Sequence, residues 1–145
     1  MLEERWVVAG SAVCVGLDSD YGLMPDAVKY RADAMPWRAI TLFNRDIVEA
    51  TADLVCAYKP NIAFYEGWGS QGLQALKDTV GFIKDRAPEV PVILDCKRAD
   101  IGNANKGYVQ AAFHAYGVDA ITVHPYLGQE VLKPFLDQKD KGIIV

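Results

Sequence analysis

Apolar, β-rich runs recur along the chain at 12–17 (AVCVGL), 54–59 (LVCAYK), 90–95 (VPVILD) and 119–124 (DAITVH), and a further run, GIIV, occupies 142–145. Each is short and bounded by turn-forming residues, which predicts five strands. The stretches between them, 36–52, 70–86, 103–116 and 128–137, space their apolar residues three and four apart, which predicts helices. Ser70 and Asn103 stand where N-caps of the second and third would fall. The strand runs are unbroken rather than alternating, as expected of a parallel sheet covered on both faces. Strand and helix alternate four times, which is the pattern of βα units.

The βα period is about 30 residues, and the architecture that accommodates it best is a (β/α)₈ TIM barrel. Such a barrel needs ~250 residues, so the 145 residues are expected to form one domain supplying roughly the first four to five units of an incomplete barrel. An open five-stranded flavodoxin-like sheet also fits the length. The strand ends are expected to decide between them.

Lys and Arg number 15 against 19 Asp and Glu, a net charge of −4, with no long basic run. That excludes a nucleic-acid partner as the leading expectation. Cys14, Cys56 and Cys96 sit in apolar surroundings without a C-x-x-C pair and are expected to be buried thiols in a reducing compartment. No secretory h-region or membrane span is evident, so no membrane partner and a cytoplasmic location are expected.

In parallel α/β proteins chemistry gathers at the C-terminal ends of strands. Those ends carry Asp18 on the first strand, Lys59 on the second, Asp95 and Lys97 followed by Asp100 on the third, and Thr122 and His124 on the fourth. Taken singly, Asp18 reads as a turn residue, Lys59 as a solvated lysine and His124 as a hydrogen-bonded loop residue. The third strand is different. Asp95 and Lys97, two apart in an extended segment, project to one side, where charges are costly unless paired. A row Lys59–Asp95–Lys97–Asp100 would give every charge an opposite neighbour and keep each ionised. A carboxylate substrate placed beside Asp95 would be repelled, and a carbanion left by loss of CO₂ could take a proton from Lys97. That chemistry is decarboxylation without a cofactor.

LDCKRADIGN (94–103) resembles the Asp-x-Lys-x-x-Asp signature of orotidine 5′-monophosphate decarboxylases. VCVGLDSD, NRDIVEATADLVCAYKPNIAFYE and ITVHPYLGQEVLKPFL resemble the same family's neighbouring segments in the same order, so the likeness extends from about residue 12 onward. The resemblance implies a homodimeric TIM barrel converting orotidine monophosphate to uridine monophosphate in pyrimidine synthesis, with no metal and no cofactor. It implies catalytic roles for Lys59, Asp95, Lys97 and Asp100, and substrate-binding roles for Asp18, Lys59, Asp100 and Ile101; Thr122, from its place at the end of the fourth strand, is also expected to bind substrate. In that scheme Asp18 and Lys59 hold ribose hydroxyls, Asp95 presses on the substrate carboxylate and Lys97 protonates C6. Asp100 and Ile101 reach into the neighbouring subunit's site. Ala104 departs from the pattern, standing where relatives often have Thr. The residues that would read the pyrimidine and the phosphate belong to the barrel's later half, so these residues by themselves are expected to be catalytically incompetent.

Two other enzymatic readings stay open on the residues alone. A Mg²⁺-dependent sugar-phosphate decarboxylase or synthase of the same superfamily would want an acidic ligand where Lys59 stands. A Schiff-base lysine would need a neutral amine, against the prospective carboxylate partners of Lys59 and Lys97. A non-catalytic barrel fragment is the remaining alternative.

Overall fold

A computed structural model describes all residues, 1–145. The order of elements is α1 (Leu2–Ala9), β1 (Cys14–Leu17), a 3₁₀ turn (Tyr21–Leu23), α2 (Asp26–Arg31), α3 (Pro36–Thr51), β2 (Ala57–Pro60), α4 (Ala63–Glu66), α5 (Gly69–Arg86), β3 (Ile93–Arg98), α6 (Ala104–Val109), β4 (Ala120–Val123), α7 (Gln129–Leu136) and β5 (Gly142–Ile144). A π-helical turn, Gln110–Ala115, continues α6. All strand pairs are parallel. β1 pairs with β2, and β3 with β4 and β4 with β5. The single bridges Tyr58↔Val92 and Asn61↔Asp95 join β2 to β3. The resulting order 1-2-3-4-5 has no switch point, which rules out the flavodoxin-like order and matches one wall of a barrel.

The wall has two distinct faces. Leu17, Tyr58, Leu94, Cys96, Ile121 and Val123 point at the helices and join the main core, with Ile40, Val48, Leu76, Ile83 and Phe135 from the helices opposite. On the other face, Ala57, Ile93 and Ala120 form a small apolar layer with Cys56. Two residues further along each strand, Lys59, Asp95 and Thr122 are half-buried at the next layer up. The strands therefore alternate between a helix-facing side and a barrel-interior side, although both sides of the lower layers are apolar and the sequence reads there as continuous.

The helices carry their own reasons. α3 opens on Pro36 at its first position, where the missing N–H is no loss. Its buried stripe Ala39, Ile40, Asn44 and Val48 follows the three-and-four spacing of one helix face. α5 passes close to α4 because Gly72 has no side chain; a Cβ there would lie 1.9 Å from the Tyr65 carbonyl oxygen. α5 begins at Gly69 without a side-chain cap, and Asn103 likewise makes no capping bond, so neither cap expected from the sequence forms. α1 ends on Gly10 in the left-handed region (φ 58°). Its buried Arg5 ties it to the base of the wall, donating from Nη2 to the Ala52 carbonyl at 2.7 Å and from Nε to the Val55 carbonyl at 3.0 Å. Cys56 and Cys96 are buried as expected, but Cys14 is exposed: it begins β1, which has a paired strand on one side only. No helix is long and apolar enough to cross a membrane.

Candidate active site

Three strands bring the charged groups together. Register places Gly16 of β1 beside Lys59 of β2, and the bridge Asn61↔Asp95 sets β2 against β3. Lys59 Nζ donates to Asp95 Oδ2 at 2.9 Å. Lys97 Nζ donates to the other oxygen, Oδ1. The Thr122 hydroxyl, from β4, donates to Oδ1 as well, at 3.2 Å. The carboxylate is thus held by two ammonium groups and a hydroxyl at the upper end of the barrel interior. Exposure is graded along this row: the Asp95 side chain is 13 % exposed and that of Lys97 is 69 %. The anion is fixed and the outer cation faces the open mouth.

The charges shift one another as their geometry requires. Burial works against ionising Asp95, but the hydrogen bonds and charges of Lys97 and Lys59 outweigh it and hold its carboxyl below the usual range. Burial likewise opposes the charge on Lys59, and its bond to Asp95, with the charges of Asp95 and Asp18, outweighs it and raises its pKa.

Lys97 is not in extended backbone, as the sequence spacing suggests, but at φ 46° in the left-handed region. For a residue with a Cβ that costs about 1–2 kcal/mol. The cause is a bulge. Leu94 pairs with Ile121 and Arg98 with Val123, so the three residues 95–97 of β3 stand opposite the single residue Thr122 of β4. The strand also runs to Arg98, three residues beyond the end expected from its apolar pattern, so the charges lie within it. The bulge, rather than simple alternation, turns Lys97 back onto Asp95.

Asp100 does not complete the row. It makes no ion pair in this chain; its Oδ1 accepts from the Ile101 amide at 2.7 Å. The expected fourth member is displaced because the backbone leaves the strand at this point and is pinned by the buried Asn105. Asn105 Oδ1 accepts from the Asp100 amide at 2.7 Å, and its Nδ2 donates to the carbonyls of Asp100 and Val131. Ile101, next in sequence, is 68 % exposed. Asp100 thus forms no ion pair with the Lys59–Asp95–Lys97 row, and Ile101 lies open to solvent.

Asp18 is exposed at the end of β1, with Asn61 Nδ2 3.5 Å from its Oδ2. Asn61 carries no charge to mark it, yet it sits beside Asp95 in register, and its Oδ1 accepts from the Ala63 amide at 3.2 Å. The signal was its position two residues beyond Lys59 on the same strand face. Next to Asp18 lies a buried polar cluster that no charge pattern in the sequence marks. The Ser19 hydroxyl donates to Asn44 Oδ1 at 2.5 Å, and Asn44 Nδ2 donates to the Tyr65 and Thr79 hydroxyls at 2.9 and 3.1 Å. Tyr65 in turn donates to the Leu17 carbonyl at 3.0 Å. Leu17 and Ser19 flank Asp18, so the cluster fixes the strand end that presents it.

His124 departs from its expected role as a hydrogen-bonded loop residue. Its ring stacks on Tyr126 with centroids 5.3 Å apart, and its Nδ1 is buried without a partner. The backbone amide of His124 donates to the Arg98 carbonyl at 3.1 Å. Arg98 pairs with Glu66 and lies over Tyr108 at 5.1 Å, which ties the end of β3 to α4 and α6.

The chain is 46 % identical over 144 residues to orotidine 5′-phosphate decarboxylase of Thermomicrobium roseum, covering 99 % of this chain and 48 % of that protein. It is 49 % identical over 135 residues to the enzyme of the same name from Herpetosiphon aurantiacus, covering 93 % of this chain and 48 % of that one. The solved structure of Leishmania donovani OMP decarboxylase matches with a TM-score of 0.81 at 33 % identity, over 98 % of this chain and 50 % of that one. The chain spans about half the length of the curated relatives it matches, and its five parallel strands are those of a TIM barrel. Residues 11–145 match the family described as orotidine 5′-phosphate decarboxylase / HUMPS, and with these relatives they show that the chain belongs to it.

Proposed function

We propose that the protein built on this chain is a carboxy-lyase that converts orotidine 5′-monophosphate to uridine 5′-monophosphate in pyrimidine synthesis, without a cofactor. The observation that carries this reading is the Asp95 carboxylate held between Lys59 and Lys97 at the barrel mouth. A substrate carboxylate seated against Asp95 meets a fixed negative charge, and its loss as CO₂ relieves that repulsion. The C6–carboxyl bond breaks, its electron pair stays on C6, and Lys97 supplies the proton that converts the carbanion to product. Lys59 holds Asp95 in place and, with Asp18, lies where ribose hydroxyls would be bound. In this reading the enzyme is a cytoplasmic homodimer with shared sites. Asp100, without a cationic partner in its own chain, and the exposed Ile101 serve the partner's substrate.

A Mg²⁺-dependent sugar-phosphate decarboxylase or synthase is the competing reading within the family. It fits the site less well, because the Lys59 ammonium already occupies Asp95 Oδ2 and would repel a hard cation there. The test uses a complete barrel that includes this chain, given orotidine monophosphate with and without a chelator. Ultraviolet loss of substrate matched by CO₂ release, unchanged by the chelator, is the expected result. No turnover of orotidine monophosphate, or decarboxylation of a sugar phosphate that stops on chelation, would overturn the proposal.

A further inference from the structure

We infer that Thr122 is a positioning residue of the reaction: its hydroxyl builds the β3 bulge that aims Lys97 and orients Asp95, and it does not bind substrate. This rests on the decarboxylase reading for its kinetic consequences and on the geometry alone for its structural ones.

A threonine hydroxyl can donate one hydrogen bond and accept two. At Thr122 all three are used within the chain. Oγ1 accepts from the Cys96 amide at 3.0 Å and from the Lys97 amide at 2.9 Å, and it donates to Asp95 Oδ1 at 3.2 Å. Nothing is left over for a ligand, which separates this residue from the substrate-binding set to which its place at a strand end assigns it.

The three bonds answer a specific need. Where β3 bulges, between the pairs at Leu94 and Arg98, no ladder partner on β4 is in register with Cys96 or Lys97, and a backbone donor left without an acceptor costs free energy. One side-chain oxygen accepts from both amides. It thereby holds Lys97 at φ 46°, a conformation the residue would otherwise avoid. The same oxygen's proton goes to Asp95 Oδ1, the atom that also receives Lys97 Nζ. The hydroxyl thus sets the backbone angle of the acid and the rotation of the neighbouring carboxylate together, as a single unit. Valine, with the same shape, could do neither.

The experiment compares Thr122→Val and Thr122→Ser in a complete barrel. Thr122→Val is expected to lower kcat by about 10²-fold, the scale of a reacting group misplaced by an ångström, while KM changes less than about threefold. Thr122→Ser, which keeps the hydroxyl, should recover most of the rate. In a readout independent of turnover, the Asp95 carboxyl followed by carbon NMR should titrate at higher pH in Thr122→Val, having lost a donor to its charged form. The Cys96 and Lys97 amides should exchange faster with solvent. A raised KM at unchanged kcat, or a serine variant as impaired as valine, would overturn the inference. If the wild-type protein does not decarboxylate orotidine monophosphate, the functional reading fails, and the titration and exchange measurements still decide the role of Thr122: unchanged values in Thr122→Val overturn it.

Discussion

Replacing Asn44 by alanine should destabilise the fold well beyond an average substitution. Asn44 is fully buried in α3, and its amide serves three hydroxyls on three other segments: Ser19 after β1, Tyr65 on α4 and Thr79 on α5, each no more than 4 % exposed. In Asn44→Ala the Ser19 hydroxyl loses its acceptor, and the Thr79 and Tyr65 oxygens lose their donor. Tyr65 keeps its own bond to the Leu17 carbonyl. An orphaned buried polar group costs about 1–3 kcal/mol. One orphaned donor, two under-satisfied acceptors and a small void therefore give a loss of about 2–5 kcal/mol, a large share of the ~5–15 kcal/mol that holds a domain together. Urea unfolding of variant and wild type, with comparison of midpoint and slope, measures it. Because Leu17 and Ser19 flank Asp18, KM should also rise if Asp18 holds substrate. A loss below about 1 kcal/mol would refute the reasoning, since it would mean that water or a repacked neighbour satisfies the three hydroxyls.

Two further outcomes follow from the charged row. Mixing inactive Lys97→Ala subunits with inactive Asp100→Ala subunits should restore activity, because some heterodimers then hold one site with neither lesion; no recovery after demonstrated subunit exchange would count against sharing. The stability of wild type relative to Asp95→Asn should increase as pH rises through the carboxylate range. Asp95 has a lowered folded-state pKa, so its contribution is present above the unfolded value and fades as pH falls through the folded one. Lys59 has the opposite sign: its pKa is raised, so its contribution is lost only as pH climbs past the ordinary lysine range. A stability difference that stays flat between pH 2 and pH 7, roughly the window for a carboxylate, would contradict the ion-pair assignment.

Much of this architecture is legible in the residues. α3, α5 and α7 fall within a residue or so of the expected bounds, because each carries a long apolar stripe bounded by a proline or by strand signals. The shorter α4 and the N-terminal α1 are not legible. α4 is only four residues long, and α1 is held by Arg5 bonding to carbonyls some 50 residues away, which no local pattern encodes. The site divides in the same way. Asp95 and Lys97 stand out because charge at the end of an apolar run needs a partner. That Lys97 reaches Asp95 through a bulge depends on Thr122, which is remote in sequence. Asn44 was within reach: Ile40, Asn44 and Val48 are four apart on the buried face of α3, and an amide on a core stripe must find partners there. Asp100 shows the limit of reading charges as a row, since Asn105 holds its backbone beyond the end of the strand and its carboxylate bonds the Ile101 amide instead.

The central claim, that Lys97 delivers the proton which completes decarboxylation, is tested most directly by single-turnover loss of orotidine monophosphate in a complete barrel carrying Lys97→Ala. Removing one electrostatic contact lowers kcat by ~10²–10³; removing the acid itself should lower it further, with substrate still bound. A variant that keeps a tenth of the wild-type rate would contradict the assignment.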